Sequence, residues 1–144
     1  FKVGSFYVIS RLIEGQFIDY NSTIPKGNDT EVVVNTREIG SSVERMSLLA
    51  NEKIPSPVKC VFSDDEIKMT CKTSMGKAND VISTTIAGSD VEIGFNNRYL
   101  LDAIKNCDTD EVKLILNGGL SPMIIKPVKS DSFLYLVVPM RISQ

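Results

Sequence analysis

Phe133-Leu134-Tyr135-Leu136-Val137-Val138-Pro139-Met140 is seven apolar residues and one proline in a row. A strand sends successive side chains to opposite faces. Phe133, Tyr135 and Val137 therefore share one face, and Leu134, Leu136, Val138 and Met140 the other. Both faces are apolar. A sheet covered by helices on one side only shows polar residues on its other face, so a second layer or a partner must cover this strand. The pattern by itself favours a central strand of a doubly covered core. Pro139 points the other way, because proline has no ladder donor and is confined to edges and strand ends. An edge strand with an apolar outer face, running into Arg141 and Ile142, offers a docking site.

Upstream, Val91 to Phe95 is a strand, and Asn96 caps a helix carrying Leu100, Leu101, Ala103 and Ile104. Strands follow at Glu111 to Leu116 and Ser121 to Lys126, before the one at Phe133 to Met140. Asn117-Gly118 is the strongest hairpin signal in the chain. The same order occurs once before. Glu31 to Asn35 is a strand, and Asn35 with Glu38 resembles a capping box. Ile39, Val43, Met46 and Leu49 form the stripe of a helix running to about Asn51 and stopping before Pro55 and Pro57; Leu48 lies off that stripe. Strands then occupy Val58 to Phe62, Glu66 to Thr73 and Ala78 to Ala87, with turns at Ser63-Asp64-Asp65 and Met75-Gly76.

The order is thus β-α-β-β-β written twice. Asn35-Thr36-Arg37 and Asn96-Asn97-Arg98 mark the two helix starts, 61 residues apart. Two sheets of three or four strands, each with a helix on one side, make an α+β domain. Ahead of it, Phe1 to Leu12, split by Gly4, reads as a hairpin, and Ile24 to Asp29 as linker. The chain opens mid-strand, so it is expected to be a fragment. Residues 1–22 are assigned to a preceding domain and 23–144 to the duplicated one.

Composition narrows the chemistry. The 144 residues are 42% hydrophobic and 24% charged, values ordinary for one soluble domain, with a net charge of −2. Nucleic-acid contact then needs a local basic face. No apolar run approaches the roughly 20 residues of a bilayer span. Histidine, the commonest general base at neutral pH, is absent. Cys60, Cys71 and Cys107 lack the spacing of a metal or redox motif; Cys60 and Cys71 could face each other across a hairpin, but reduced cysteines are the simpler reading. Asp64, Asp65 and Glu66 read as solvated turn acids rather than a metal site. Off the apolar stripes lie Arg37, Glu44 and Arg45 on the first helix and Arg98, Asp102 and Lys105 on the second. A solvated mixed-charge face explains them. The functional reading is contact with the phosphates of a polyanion, since arginine in a first helical turn opposes the dipole.

SRLIEGQFIDY (Ser10 to Tyr20), EIGFNNRYLLDAI (Glu92 to Ile104) and VVPMRI (Val137 to Ile142) resemble the bacterial DNA sliding clamp, the beta subunit of DNA polymerase III. The resemblance runs over the whole chain in the family's order. It implies the third, C-terminal domain of the DNA-clamp fold, preceded by the last hairpin of the second. It further implies a non-catalytic processivity factor without cofactors, a head-to-tail homodimeric ring around duplex DNA in the bacterial cytoplasm. Replicative polymerase, clamp loader and repair proteins would dock through short peptides, while this fragment alone would be monomeric. Carried over by position, the peptide groove comprises Ile18, Ser22, Thr23, Asn96, Tyr99, Leu120, Pro122, Leu136, Val137, Val138, Pro139, Met140 and Arg141. Arg37, Arg45, Arg98 and Lys105 would face DNA, and Leu48, Leu49 and Asp80 the neighbouring subunit. Ile18 stands where many members have proline, Ser22 where many have a basic residue, and Asp80 is the one acid left between Ser74 and Asp80. Two other readings are a ligand-binding α+β domain with a pocket beside Tyr99 and Val138, and a small thiol enzyme, which the missing histidine disfavours.

Overall fold

The computed structural model describes residues 1–49 and 57–142. A two-residue-stranded hairpin, β1 (Lys2–Val3) and β2 (Phe6–Tyr7), leads to a single helical turn, α1 (Tyr20–Thr23). The first repeat is β3 (Thr30–Asn35), α2 (Thr36–Ser47), β4 (Pro57–Ser63), β5 (Glu66–Thr73) and β6 (Gly76–Ser83), followed by β7 (Thr85–Gly88). The second is β8 (Val91–Asn96), α3 (Asn97–Lys105), β9 (Glu111–Leu116), β10 (Met123–Pro127) and β11 (Tyr135–Val137), followed by β12 (Pro139–Met140). The expected end of the first helix near Asn51 lies outside the described residues.

The repeats are not two separate layers. One five-stranded sheet has the order β11-β10-β9-β3-β7, the other β12-β8-β4-β5-β6, and all pairings are antiparallel. Each sheet takes strands from both repeats: β3 pairs with β9, and β8 with β4. The extra strand of each sheet arises where the sequence pattern predicted continuity. The expected strand Ala78 to Ala87 breaks at Thr84 into β6 and β7, which belong to different sheets. Phe133 to Met140 breaks at Val138 into β11 and β12 in the same way. Neither piece is a central strand, correcting the reading that apolarity on both faces favoured; each lies at a sheet edge, as Pro139 requires.

Local chemistry fixes the first break. The Thr84 hydroxyl donates to the Val33 carbonyl at 2.5 Å, and the Thr84 amide to the Asp65 carbonyl at 2.8 Å. The Ile86 amide donates to Asp65 Oδ1 at 2.8 Å. Asp65 is therefore more than a solvated turn acid: it holds the crossing chain from the β4–β5 turn. Asp64 and Asp65 both sit at φ 54°, a left-handed pair that fits a two-residue hairpin turn.

The helices follow their sequence signals. Asn35 Oδ1 accepts from the Arg37 and Glu38 amides at 3.0 and 3.2 Å, and Asn96 Oδ1 from those of Arg98 and Tyr99 at 3.0 and 3.5 Å. Each bond satisfies an amide that the first turn otherwise leaves unpaired. Ile39, Val43 and Met46 of α2, with Leu100 and Ile104 of α3, enter one core with the inner faces of the sheets. Cys60 and Cys71 lie in it too, unpaired by any disulfide, with Cys60 opposite Met69 and Cys71 opposite Val58. Burial pushes the Cys60 thiol up to about 12 and raises that of Cys71.

Asn117-Gly118 does not make the tight turn its dipeptide predicts. Ile115 pairs with Ile124, so the connection is a broader loop. The N-terminal hairpin is shorter than expected and wholly exposed, with Phe1, Ile9, Leu12 and Ile13 each more than 90% accessible.

Candidate partner groove and basic helix face

The break at Val138 creates the site. Facing the core, Val137 is only 4% exposed, and Phe133 and Tyr135 pack against the buried cluster. Their rings stack at 4.9 Å, and the Tyr135 hydroxyl donates to the Asn106 carbonyl at 3.0 Å, securing β11 to the end of α3. The alternate residues turn outward: Leu134 and Val138 are 47% and 61% exposed, and Leu136 is half-buried. Val137 thus belongs to the core and contributes no side chain to an outer surface, against its placement in the groove.

Beyond Val138 the chain joins the other sheet. Pro139 pairs with Phe95 and Met140 with Gly94, directly before the Asn96 cap that starts α3. A Cβ at Gly94 would stand 2.7 Å from Ile142 Cγ1 and 2.9 Å from the Met140 carbonyl oxygen, so glycine permits this close crossing. Tyr99, on the first turn of α3, is 64% exposed. The loop carrying Leu120 and Pro122 is pressed on the same strand, because a Cβ at Gly119 would meet the Glu92 carbonyl oxygen at 2.3 Å. Leu120 is 87% exposed, Pro122 and Met140 are half-buried and Arg141 is exposed.

Strand edges, a helix start and a loop thus bring Asn96, Tyr99, Leu120, Pro122, Leu136, Val138, Pro139, Met140 and Arg141 onto adjoining elements. Such a surface can bind an apolar anchor, and Arg141 can hold a carboxylate. Ile18, Ser22 and Thr23 are not tied to it by any hydrogen bond among the described residues. All three are exposed on the N-terminal segment, where the Ser22 and Thr23 hydroxyls bond locally to the Asp19 carbonyl.

The expected DNA-facing cations divide into two kinds. Among the described residues Arg37 and Arg98 make no ion pair, whereas Lys105 pairs with Glu44 at 2.7 Å and Arg45 with Asp80. Arg37 and Arg45 border a shallow depression of about 470 Å³ between α2 and β6, with Glu38, Ser41, Val81, Ile82 and Ser83. The hydroxyl of Ser42, together with the Arg45 guanidinium, holds the Asp80 carboxyl below its usual range. Asp80 is therefore engaged by its own domain's helix. Leu48 is 80% exposed, Leu49 packs partly into the core, and both follow α2. Residue patterns gave no sign of Tyr135, Gly94 and Gly119 as elements that shape this surface, since each acts on a residue distant in sequence.

The sequence model of the DNA polymerase III beta subunit, C-terminal domain, matches residues 21–141. The chain belongs to this family. It is 32% identical over 143 residues to a beta sliding clamp of Staphylococcus aureus, and 30% identical over 141 residues to that of Escherichia coli K12. These alignments cover 98% and 97% of the chain but 38% of each relative, so the chain spans well under half the length of those proteins. Among solved structures, the DNA polymerase sliding clamp of Bacillus subtilis superposes with a TM-score of 0.86 at 31% identity, covering 93% of this chain and 36% of that one. A sliding clamp from Bartonella birtlesii bound to griselimycin gives 0.85 at 33% identity, covering 92% and 36%. The expected clamp fold, of two antiparallel sheets with a few helices, is the one observed.

Proposed function

We propose that the chain is the C-terminal part of a processivity clamp that encircles duplex DNA and tethers the replicative polymerase without catalysing a reaction. In this reading residues 1–22 close a preceding domain and residues 23–144 form the third domain of each subunit in a bacterial, cytoplasmic, head-to-tail homodimeric ring. α2 and α3 turn Arg37 and Arg98 toward the phosphate backbone, with Arg45 and Lys105 partly neutralised by their acidic partners. Polymerase, clamp loader and repair proteins dock through short peptides on the surface around Val138. Leu48 and Leu49 meet the neighbouring subunit, where apolar contact and strand-edge pairing outweigh Asp80, already held by Arg45.

The observation that carries the peptide reading is the outward turn of Leu134, Leu136 and Val138 on a strand whose other face is core. In the complete protein, Val138→Asp should abolish binding of a peptide from the clamp-contacting segment of the same organism's replicative polymerase. It places an uncompensated carboxylate against an apolar anchor. The melting temperature should hold, because Val138 is exposed. Calorimetry and a thermal melt check both, and retained affinity would remove the groove assignment.

A further inference from the structure

Asn117 stands 88 residues from Asp29 in sequence, yet its Oδ1 accepts the Asp29 amide at 3.2 Å. The contact is closely fitted. A Cβ at Gly27 would come 2.9 Å from the same Oδ1, so a larger residue there would push on the Asn117 side chain. Among the described residues Asn117 Nδ2 is buried without an acceptor, leaving the oxygen as the end of the amide that makes the contact. One residue on, Gly118 adopts φ 78° and Gly119 lies against the Glu92 carbonyl. The loop Asn117 to Pro122 is thus held at one end by the linker and braced in the middle by β8. Leu120, 87% exposed, projects from between those points and Pro122.

We propose that Asn117 is a positioning residue for the peptide surface, coupling the linker Ile24 to Asp29 to the loop that carries Leu120 and Pro122. The inference rests on the groove reading above. Displacement of the linker shifts the Asn117 acceptor, and the loop must follow or lose the bond. Conversely, a peptide that fixes Leu120 also fixes the acceptor of the Asp29 amide and slows its exchange. Two segments distant in the chain thereby share one energetic element.

Amide hydrogen exchange and peptide calorimetry on the complete protein test this, with the polymerase-derived peptide as probe. Asn117→Ala should speed exchange at Asp29 about tenfold, the equivalent of one ordinary hydrogen bond, and weaken peptide binding severalfold with the melt nearly unchanged. Asn117→Asp keeps an acceptor oxygen and should slow Asp29 exchange relative to Asn117→Ala, with a lowered melt because its second oxygen takes the place of the buried Nδ2. Val138→Asp should abolish binding while leaving Asp29 exchange in the free protein untouched. Unaltered Asp29 exchange in Asn117→Ala overturns the bond, faster exchange with unaltered affinity overturns the coupling, and Asp29 exchange as fast in Asn117→Asp as in Asn117→Ala overturns the role of the oxygen. Should Val138→Asp bind normally, the groove reading fails, while the exchange measurement still decides the link between linker and loop.

Discussion

Asn97, the first residue of α3, reaches across to Ser47 at the end of α2, its side-chain amide 2.5 Å from the serine hydroxyl. With the amide turned to satisfy both of its ends, the nitrogen faces the Val43 carbonyl at 3.3 Å and the oxygen the Ser47 backbone amide at 3.1 Å. Asn97 is 4% exposed. Removing a partner from a buried polar cluster leaves the remaining groups unsatisfied, at about 1–3 kcal/mol. Asn97→Ala should lower unfolding stability by that amount, and Asn97→Asp by more, since it adds a buried charge. Urea denaturation curves check both, and an unchanged midpoint for Asn97→Ala would show that the contact contributes nothing net.

Asp80 makes stability depend on acid. Its carboxyl is held below the ordinary value first by the Ser42 hydroxyl and then by Arg45, against burial, which acts to raise it. The unfolded chain therefore binds a proton at a higher pH than the folded one. The contribution is fully present above the unfolded aspartate value of about 3.9 and is lost as pH falls through the depressed folded value. Denaturation midpoints taken at steps from neutral to acid pH should fall less steeply in Asp80→Asn than in the parent. Parallel curves would mean that Asp80 titrates alike in both states.

Thiol labelling should separate the cysteines. Cys107 is half-buried, with its thiol raised to about 11 by burial and by neighbouring Asp108, whereas Cys60 and Cys71 are fully enclosed. Near neutral pH, alkylation followed by mass spectrometry should modify Cys107 first, and Cys60 and Cys71 only as fast as the domain unfolds. Early labelling of Cys60 would contradict the observed core.

DNA binding offers a graded test of the helix face in the complete protein. Replacing Arg37 and Arg98 together by Ala removes two cations from each of two subunits of the proposed ring and should reduce the slope of log affinity against log salt by up to about 4. Replacing Arg45 and Lys105 should change it less, because each is already paired with an acid. Equal effects would remove the distinction between free and paired cations. Discrimination between DNA sequences by any of these proteins would count against phosphate-only contact.

The sequence was most informative where the determining contacts are local. Asn35 and Asn96 marked both helix starts, and Ile39, Val43 and Met46 marked the buried face, because caps and stripes depend on residues a few positions apart. The breaks at Thr84 and Val138 were invisible for the opposite reason. Both lie in runs compatible with an extended chain, and Thr84 is turned by Val33 and Asp65, far away in sequence. Pro139 was the one local sign of an edge. The outward face of Leu134, Leu136 and Val138 was legible from alternation. Burial of Val137, the anchoring of Tyr135 by Asn106 and the hold of Asn117 on the linker were not, since each needs the tertiary arrangement first.

Because β3 finds its neighbour in β9, and β4 in β8, neither repeat encloses a hydrophobic interior of its own. A chain ending at Ser89 would leave two sheets with their middles open. Most ladder bonds across those middles close loops of dozens of residues, an entropic cost met before any reward arrives. As the polypeptide leaves the ribosome, β3 and β4 must wait for β8 and β9, so the domain is committed to folding late and as a whole. Pro139 and Met140, which follow every other described strand, seal the edge of one sheet beside the surface on which partners are proposed to dock.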